Sequence, residues 1–358
     1  MGRTHDILSS GLARNRVINT AEEPREIPPG TENMNDGAAG DISVVVCTLA
    51  KNLQELSSCL SSLNRQTKHF GELILVSRAE IPNYLNGLAS MVVVEPKRGL
   101  SLARNVGVSR CSGNIIGFTD DDCICSETWI EKLLEGFSDP NVWMVTGRTL
   151  ARNGSKKRFS AAVMDNPFRT YFKLDRDRIV GIRGQVSKSM LPTETWNIGN
   201  GNNMAIRRSA LERVGPFDEQ LGPGSRSRSA EDLDMFLRVL LHGGAIMYEP
   251  SALSYHEKLS YSGWFMRQCF GYRLGEGAIL KKYGSVRLSN TAARILVDRS
   301  LEFYLRFMRS AARLRVRQAC QSATSLASLH AGFIVYRRHE NPGVLRGDDR
   351  GRKSRQST

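Results

Sequence analysis

The stretch NIIGFTDDDCIC, residues 114–125, decides how this chain is read. Its opening, NIIGF, is a short unbroken apolar run of the kind that forms a strand buried on both faces. Directly after it come three carboxylates, Asp120, Asp121 and Asp122. In open parallel sheets ligands bind outside the carboxyl ends of the strands, where loops and helix N-termini converge. Adjacent like charges at such a place repel one another unless a cation accompanies them. Asp120 and Asp122 can project to one side as hard oxygen ligands suited to Mg²⁺ or Mn²⁺; the alternative is a solvated acidic turn.

Outward from this stretch the same pattern repeats. ISVVVC (42–47), ELILV (72–76) and MVVV (91–94) read as buried strands, Leu53, Leu56, Leu60 and Leu63 fall at helical spacing, and a helix is expected over Leu100–Cys111. Toward the C-terminus a helix should start after Ser126 as N-cap, followed by a strand at VWMVT (142–146) and an aperiodic charged stretch over 147–195. Regularity returns in NNMAIRRSALERVG (202–215) and EDLDMFLRVLLHGG (231–244), where Leu233, Phe236, Leu237 and Leu240 mark one helix face. Strands alternating with helices predict an α/β fold with a Rossmann-like, mostly parallel sheet flanked by helices.

Composition divides the chain. Its 358 residues carry a formal charge of +14, and residues 257–358 alone hold 20 basic against 7 acidic side chains, or +13. A neutral body with a basic helical extension predicts a polyanionic partner for the extension, an anionic membrane surface before nucleic acid. Residues 1–40, with Pro24, Pro28 and Pro29, read as a disordered leader, 41–260 as the α/β body, 261–340 as the helical extension and 341–358 as a disordered tail. In the extension Leu301, Leu305, Met308 and Ala312 recur at helical spacing while Arg306, Arg309 and Arg313 take another face. Such a helix can lie on an anionic leaflet or pack on the body with its arginines solvated. Seven cysteines without CxxC spacing indicate neither a zinc ribbon nor a disulfide framework, and a reducing cytoplasm is expected. Cys123 and Cys125 either bind a metal or fill a loop beside a strand. No apolar signal segment follows Arg3, His5 and Asp6, and the longest charge-free run, Gln318–Tyr336, is too polar for a membrane span.

Five segments in order, ISVVVCT, EPKRGLSLARNVGVSRCSGNIIGFTDDD, WNIGNGNNMAIRRSALERVGPFDEQLGPG, SAEDLDMFLR and YEPSALSYH, resemble the family 2 glycosyltransferases of GT-A fold over about residues 41–260. The resemblance implies inverting transfer of a sugar from a nucleotide-diphosphate donor to an acceptor hydroxyl, lipid-linked or otherwise, in cell-surface polysaccharide or glycoconjugate synthesis. It assigns Asp122 to direct coordination of the cation, Asp120 to the metal water and ribose, and His256 to the metal's vicinity. Thr48, Ser77, Arg104 and Asn105 fall to the nucleotide. Asp232 becomes the general base with Glu231 beside it, and Trp196 and Asn203 offer a ring and an amide to the sugar. The GPGSRSRSA segment before Glu231 is expected to close over substrate.

Other readings stay open for several of these. Glu231, Asp232 and Asp234 would also favour the positive end of their helix, Arg104 could serve a surface ion pair, His256 could be structural, and Asn197–Asn203 could be a self-bonded turn. The sequence departs from the family pattern at Leu49 and Ala50 and again at Ser77, where an acidic residue is usual. Weak discrimination among bases is therefore expected. A catalytically silent nucleotide- or polyanion-binding protein and a nucleotidyltransferase are the competing functions.

Overall fold

The computed structural model describes residues 16–19, 42–151, 169–175, 178–182, 198–256, 270–284 and 289–337. Within them β1 (Arg16–Asn19), β2 (Ile42–Thr48), β3 (Glu72–Ser77), β4 (Met91–Val94) and β5 (Ile115–Asp120) form the parallel half of one sheet. α1 (Leu53–Leu63), the single turn α2 (Asn83–Asn86) and α3 (Leu100–Arg110) connect them. The apolar runs alternate between two cores. Val45, Ile74, Val76, Ile116 and Phe118 face one side, while Ile42, Val44, Val46, Leu73 and Leu75 face the other. Burial on both faces is why these strands lack polar alternation.

β6 (Cys123–Cys125), α4 (Trp129–Glu135), β7 (Val142–Ala151), β8 (Thr170–Asp175), β9 (Arg178–Ile182), β10 (Asn203–Arg207), α5 (Arg208–Val214), α6 (Glu231–Leu241) and β11 (Ala245–His256) complete the body. The spatial order is β1, β4, β3, β2, β5, β10, β7, β11, β8, β9, with β6 paired to β11. β10 is antiparallel to both β5 and β7, whereas β7 and β11 run parallel. The register aligns Thr48 with Ser77 and Cys47 with Asp120, so three strands end along one edge.

Three expectations change. The leader contributes β1, an edge strand parallel to β4. The strand begun at VWMVT continues to Ala151, because β11 pairs with it as far as His256↔Ala151. α4 starts at Trp129 with Thr128 at its N-cap; the Ser126 carbonyl accepts from Gln66 Nε2 and from the Trp129 N–H instead.

Three further helices follow: α7 (Tyr272–Tyr283), α8 (Ser289–Ala312) and α9 (Val316–Val335). α8 packs on its neighbours through Ala292, Ile295 and Phe303, with Leu280 and Leu329 in the same cluster. The stripe expected at Leu301, Leu305 and Met308 is a second apolar face, left exposed together with Val297 and Tyr304. No helix among the described residues is long and apolar enough to cross a membrane.

Candidate active site

A cavity of about 550 Å³ lies along the edge where β2, β3, β4 and β5 end. Thr48, Ser77, Arg104, Asp120, Asp122, Glu231, Asp232 and His256 all line it. Chain pairing explains the convergence. β6 runs antiparallel to β11 and sets His256 opposite Cys123, so the imidazole meets Asp122, with Nε2 3.3 Å from Oδ1. Ligand atoms of Asp122, Cys123 and His256 lie within 4.8 Å of one another. Burial raises the Cys123 thiol well above its ordinary range, and the carboxylate and imidazole beside it are the harder donors. With Asp120 and Asp121 adjoining, that set fits a hard or borderline divalent cation.

The middle aspartate is held apart. The Thr48 hydroxyl donates to Asp121 Oδ2 while accepting the Ala50 N–H at 2.9 Å, so Thr48 organises the acidic turn. Burial raises Asp121 to about 6.

Arg104 is the hub of the opposite wall. Its side chain is only 3% exposed, excluding a surface ion pair, and lies between Glu231 Oε1 at 3.0 Å and Asp120 Oδ1 at 3.4 Å. It also donates to the Gly201 carbonyl at 2.9 Å, and its guanidinium carbon is 5.5 Å from the Phe217 ring centre. The guanidinium thus joins the acidic strand end to the first turn of α6. Gly201 in turn donates its N–H to Asp232 Oδ2 at 2.9 Å. A Cβ on Gly201 would stand 3.0 Å from Arg104 Nη2 and 3.1 Å from Asp232 Cβ, so only glycine fits without displacement.

The three acids that open α6 have three destinations. Glu231 is buried against Arg104, and burial raises its carboxyl to about 7 against the pull of that arginine. Asp232 is partly exposed on the cavity wall. Its Oδ1 accepts the Leu233 N–H at 2.9 Å, leaving lone pairs on both oxygens for a proton, and burial raises it above the ordinary carboxylate range. Asp234 points the other way, to Lys282 at 2.8 Å, Arg238 at 3.0 Å and the Tyr283 hydroxyl at 2.8 Å. Despite its burial, Lys282 and Arg238 hold Asp234 below its usual value. Ala230, in left-handed backbone at φ 81°, turns the chain into this helix.

Other expected positions serve the scaffold. Asn105 exchanges hydrogen bonds with the Phe217 backbone at 2.8 and 2.9 Å and does not line the cavity. Asn203 is fully buried, accepting from Trp129 Nε1 at 2.8 Å and donating to the Ala252 and Arg148 carbonyls, so its amide is committed away from any sugar. The Ser77 hydroxyl donates to the Ala79 carbonyl at 2.6 Å. Trp196 lies outside the described residues. The GPGSRSRSA segment is tied down by Ser225 to Gly222, Ser227 to Gln220 and Ser229 to Gly271, unlike the loose lid expected.

The cavity also contains residues the sequence reading passed over: Lys51, Glu95, Lys97 and Arg98. Glu95 follows β4 as Asp120 ends β5, and its N–H bonds the Ser77 carbonyl at 2.8 Å. The strand-end rule applied to MVVVE would have found it.

Comparison with known proteins bears on this arrangement. The model of glycosyl transferase family 2 matches residues 43–215, and that of glycosyltransferase like family 2 matches 162–280. The chain belongs to glycosyltransferase family 2. It is similar to the pre-mycofactocin glycosyltransferase of Mycobacterium tuberculosis, 27% identical over 271 residues, which is 75% of this chain. The chain spans about half the length of that relative, 52%. It is also similar to glycosyltransferase AglE of Haloferax volcanii, 21% identical over 66% of this chain and 72% of that one. Among solved structures, the mannosyltransferase PcManGT from Pyrobaculum calidifontis, in complex with GDP-Man and Mn²⁺, aligns at 16% identity. The match covers 82% of this chain and 86% of that one, with a TM-score of 0.49. The matched residues 43–280 take in every described wall of the cavity.

Proposed function

We propose that this protein transfers a sugar, with inversion, from a nucleotide-diphosphate donor to an acceptor hydroxyl, using a divalent cation. The observation that carries the reading is that Asp232 shares one cavity with Asp120, Asp122 and His256. In this reading the acceptor oxygen attacks the anomeric carbon, the bond from that carbon to the diphosphate oxygen breaks, and the electron pair leaves with the diphosphate. The acceptor's proton passes to Asp232, whose free lone pairs face the cavity. Asp122 and His256, with Asp120 beside them, would hold Mn²⁺ or Mg²⁺, which supplies Lewis-acid stabilisation of the leaving group. Arg104 keeps Asp120 and Glu231 in place, and Lys51, Lys97, Arg98 and Arg228 bring positive charge to the diphosphate.

The basic C-terminal helices give the same reading its setting, at the cytoplasmic face of an anionic membrane, with the acceptor a lipid-linked glycan in cell-surface polysaccharide or glycoconjugate synthesis. A panel of nucleotide sugars with Mn²⁺ tests the chemistry. Release of nucleoside diphosphate with sugar transferred supports it. Pyrophosphate release would indicate a nucleotidyltransferase, and binding without turnover a silent nucleotide-binding protein.

A further inference from the structure

The helices after the body hold a second cavity, of about 440 Å³, in which arginines converge from three elements. Arg273 comes from α7, Arg306 and Arg309 from α8, and Arg313 and Arg315 from the turn between α8 and α9, and among the described residues no acidic side chain lines the space. Glu276 matches Arg273, and Glu302 matches Arg306 at 2.6 Å. Arg309, Arg313 and Arg315 have no carboxylate partner among the described residues. Like charges gathered this way repel one another until an anion comes among them. Arg315 also occupies the N-cap of α9 without a side-chain cap bond, and Gln318 of that helix's first turn lines the same cavity. The uncapped N–H groups and positive end of a 20-residue helix add to the field there.

The turn itself is apolar. Leu314, in left-handed backbone at φ 53°, is 88% exposed and Val316 is 71% exposed, one on each side of Arg315. Apolar side chains shown to water beside unpaired arginines match the boundary between lipid headgroups and acyl chains.

We propose that this cavity binds the terminal phosphate of a membrane lipid, with Leu314 and Val316 entering the acyl boundary beside it. A guanidinium takes two phosphate oxygens in parallel, so several of them favour a phosphomonoester, with three terminal oxygens and nearly two charges, over a phosphodiester. The proposal rests on the membrane setting given above and is independent of the sugar chemistry. It has one geometric corollary. Gly271 and Tyr272 line the first cavity while Arg273, the next residue, lines the second, so a headgroup held here lies one residue along the chain from the active-site wall.

The test uses the full chain with a metal chelator present. Co-sedimentation is measured on phosphatidylcholine vesicles alone, with phosphatidic acid, and with phosphatidylserine at matched surface charge. Binding should favour phosphatidic acid and weaken by about tenfold or more in R313Q/R315Q. L314S/V316S should lose vesicle binding yet still bind inorganic pyrophosphate calorimetrically, by the increment that R313Q/R315Q lacks. Both variants should retain wild-type melting temperatures and nucleoside diphosphate binding with Mn²⁺, which separates this outcome from failure of the glycosyltransferase reading. Equal binding to the two anionic vesicles, or unchanged affinity in R313Q/R315Q, overturns the proposal. Pyrophosphate binding without vesicle binding by the wild type would make this a free-phosphate site and overturn the lipid assignment.

Discussion

In the strand-end cavity the Arg104 guanidinium is buried between Glu231 and Asp120, whereas in the hairpin cavity Arg309, Arg313 and Arg315 face water with no carboxylate beside them. The same side chain does different work in the two places. Buried and matched, it fixes two carboxylates relative to each other, and its removal leaves charges stranded in a low dielectric. Exposed and unmatched, it contributes little to folding and keeps its charge for a partner. The contrast is between positioning and recruitment, and each of four experiments can break or sharpen it.

The largest effect is expected at the proton acceptor. Asp232→Asn keeps the shape and one of the two backbone hydrogen bonds, since Gly201 and Leu233 donate to different oxygens, but cannot take a proton, so kcat should fall on the order of 10²- to 10⁴-fold with donor affinity nearly unchanged. Because burial raises Asp232, and the base works ionised, kcat/KM of the wild type should decline with falling pH from above the usual carboxylate range. A loss of only a few-fold in the variant would reduce Asp232 to a helix-start residue.

Next is the positioning arginine. Arg104→Met should cost about 3–5 kcal/mol in urea unfolding by leaving Glu231 and Asp120 unmatched, while Arg313→Gln should stay within about 0.5 kcal/mol of wild type. Equal costs at the two positions would erase the distinction between the cavities. Asp122→Asn should weaken Mn²⁺-dependent nucleoside diphosphate binding on the order of 10- to 100-fold, through one lost charged ligand, with the melting temperature little changed. Unchanged calorimetric affinity would remove Asp122 from the cation site.

The smallest effect concerns the base. The Ser77 hydroxyl is turned to Ala79 and offers only a neutral acceptor where a carboxylate is usual, while Glu95 Oε1 already accepts the Lys97 N–H at 2.8 Å. UDP, dTDP and GDP should therefore compete within about tenfold of one another. A UDP preference of several hundredfold, abolished in Glu95→Gln, would identify Glu95 as the base reader.

The parallel half of the sheet was legible because four short apolar runs, each ending in polar residues, admit few arrangements in a right-handed α/β unit. That rule led to Asp120 and Asp122, and the motif order led to Asp232 and His256, all of which line one cavity. What stayed hidden depends on partners far away in sequence. Arg104 and Glu231 are separated by 127 positions, and Asn203 meets the Trp129 indole across 74, so no local pattern distinguishes them from ligand-facing residues. The second apolar face of α8 was legible as spacing. Its exposure was not, since Ala292, Ile295 and Phe303 offered an equally regular face for packing.

Gly201 carries a consequence for how the cavity wall responds to substitution. A Cβ there would stand 3.0–3.1 Å from Arg104 and Asp232, so alanine fits only if both side chains give by a few tenths of an ångström. Lys51, Lys97 and Arg228 also line the cavity, and a change there alters its charge. One added methyl group at position 201 is therefore felt by two side chains at once, whereas a change at a basic lining position alters charge at one place.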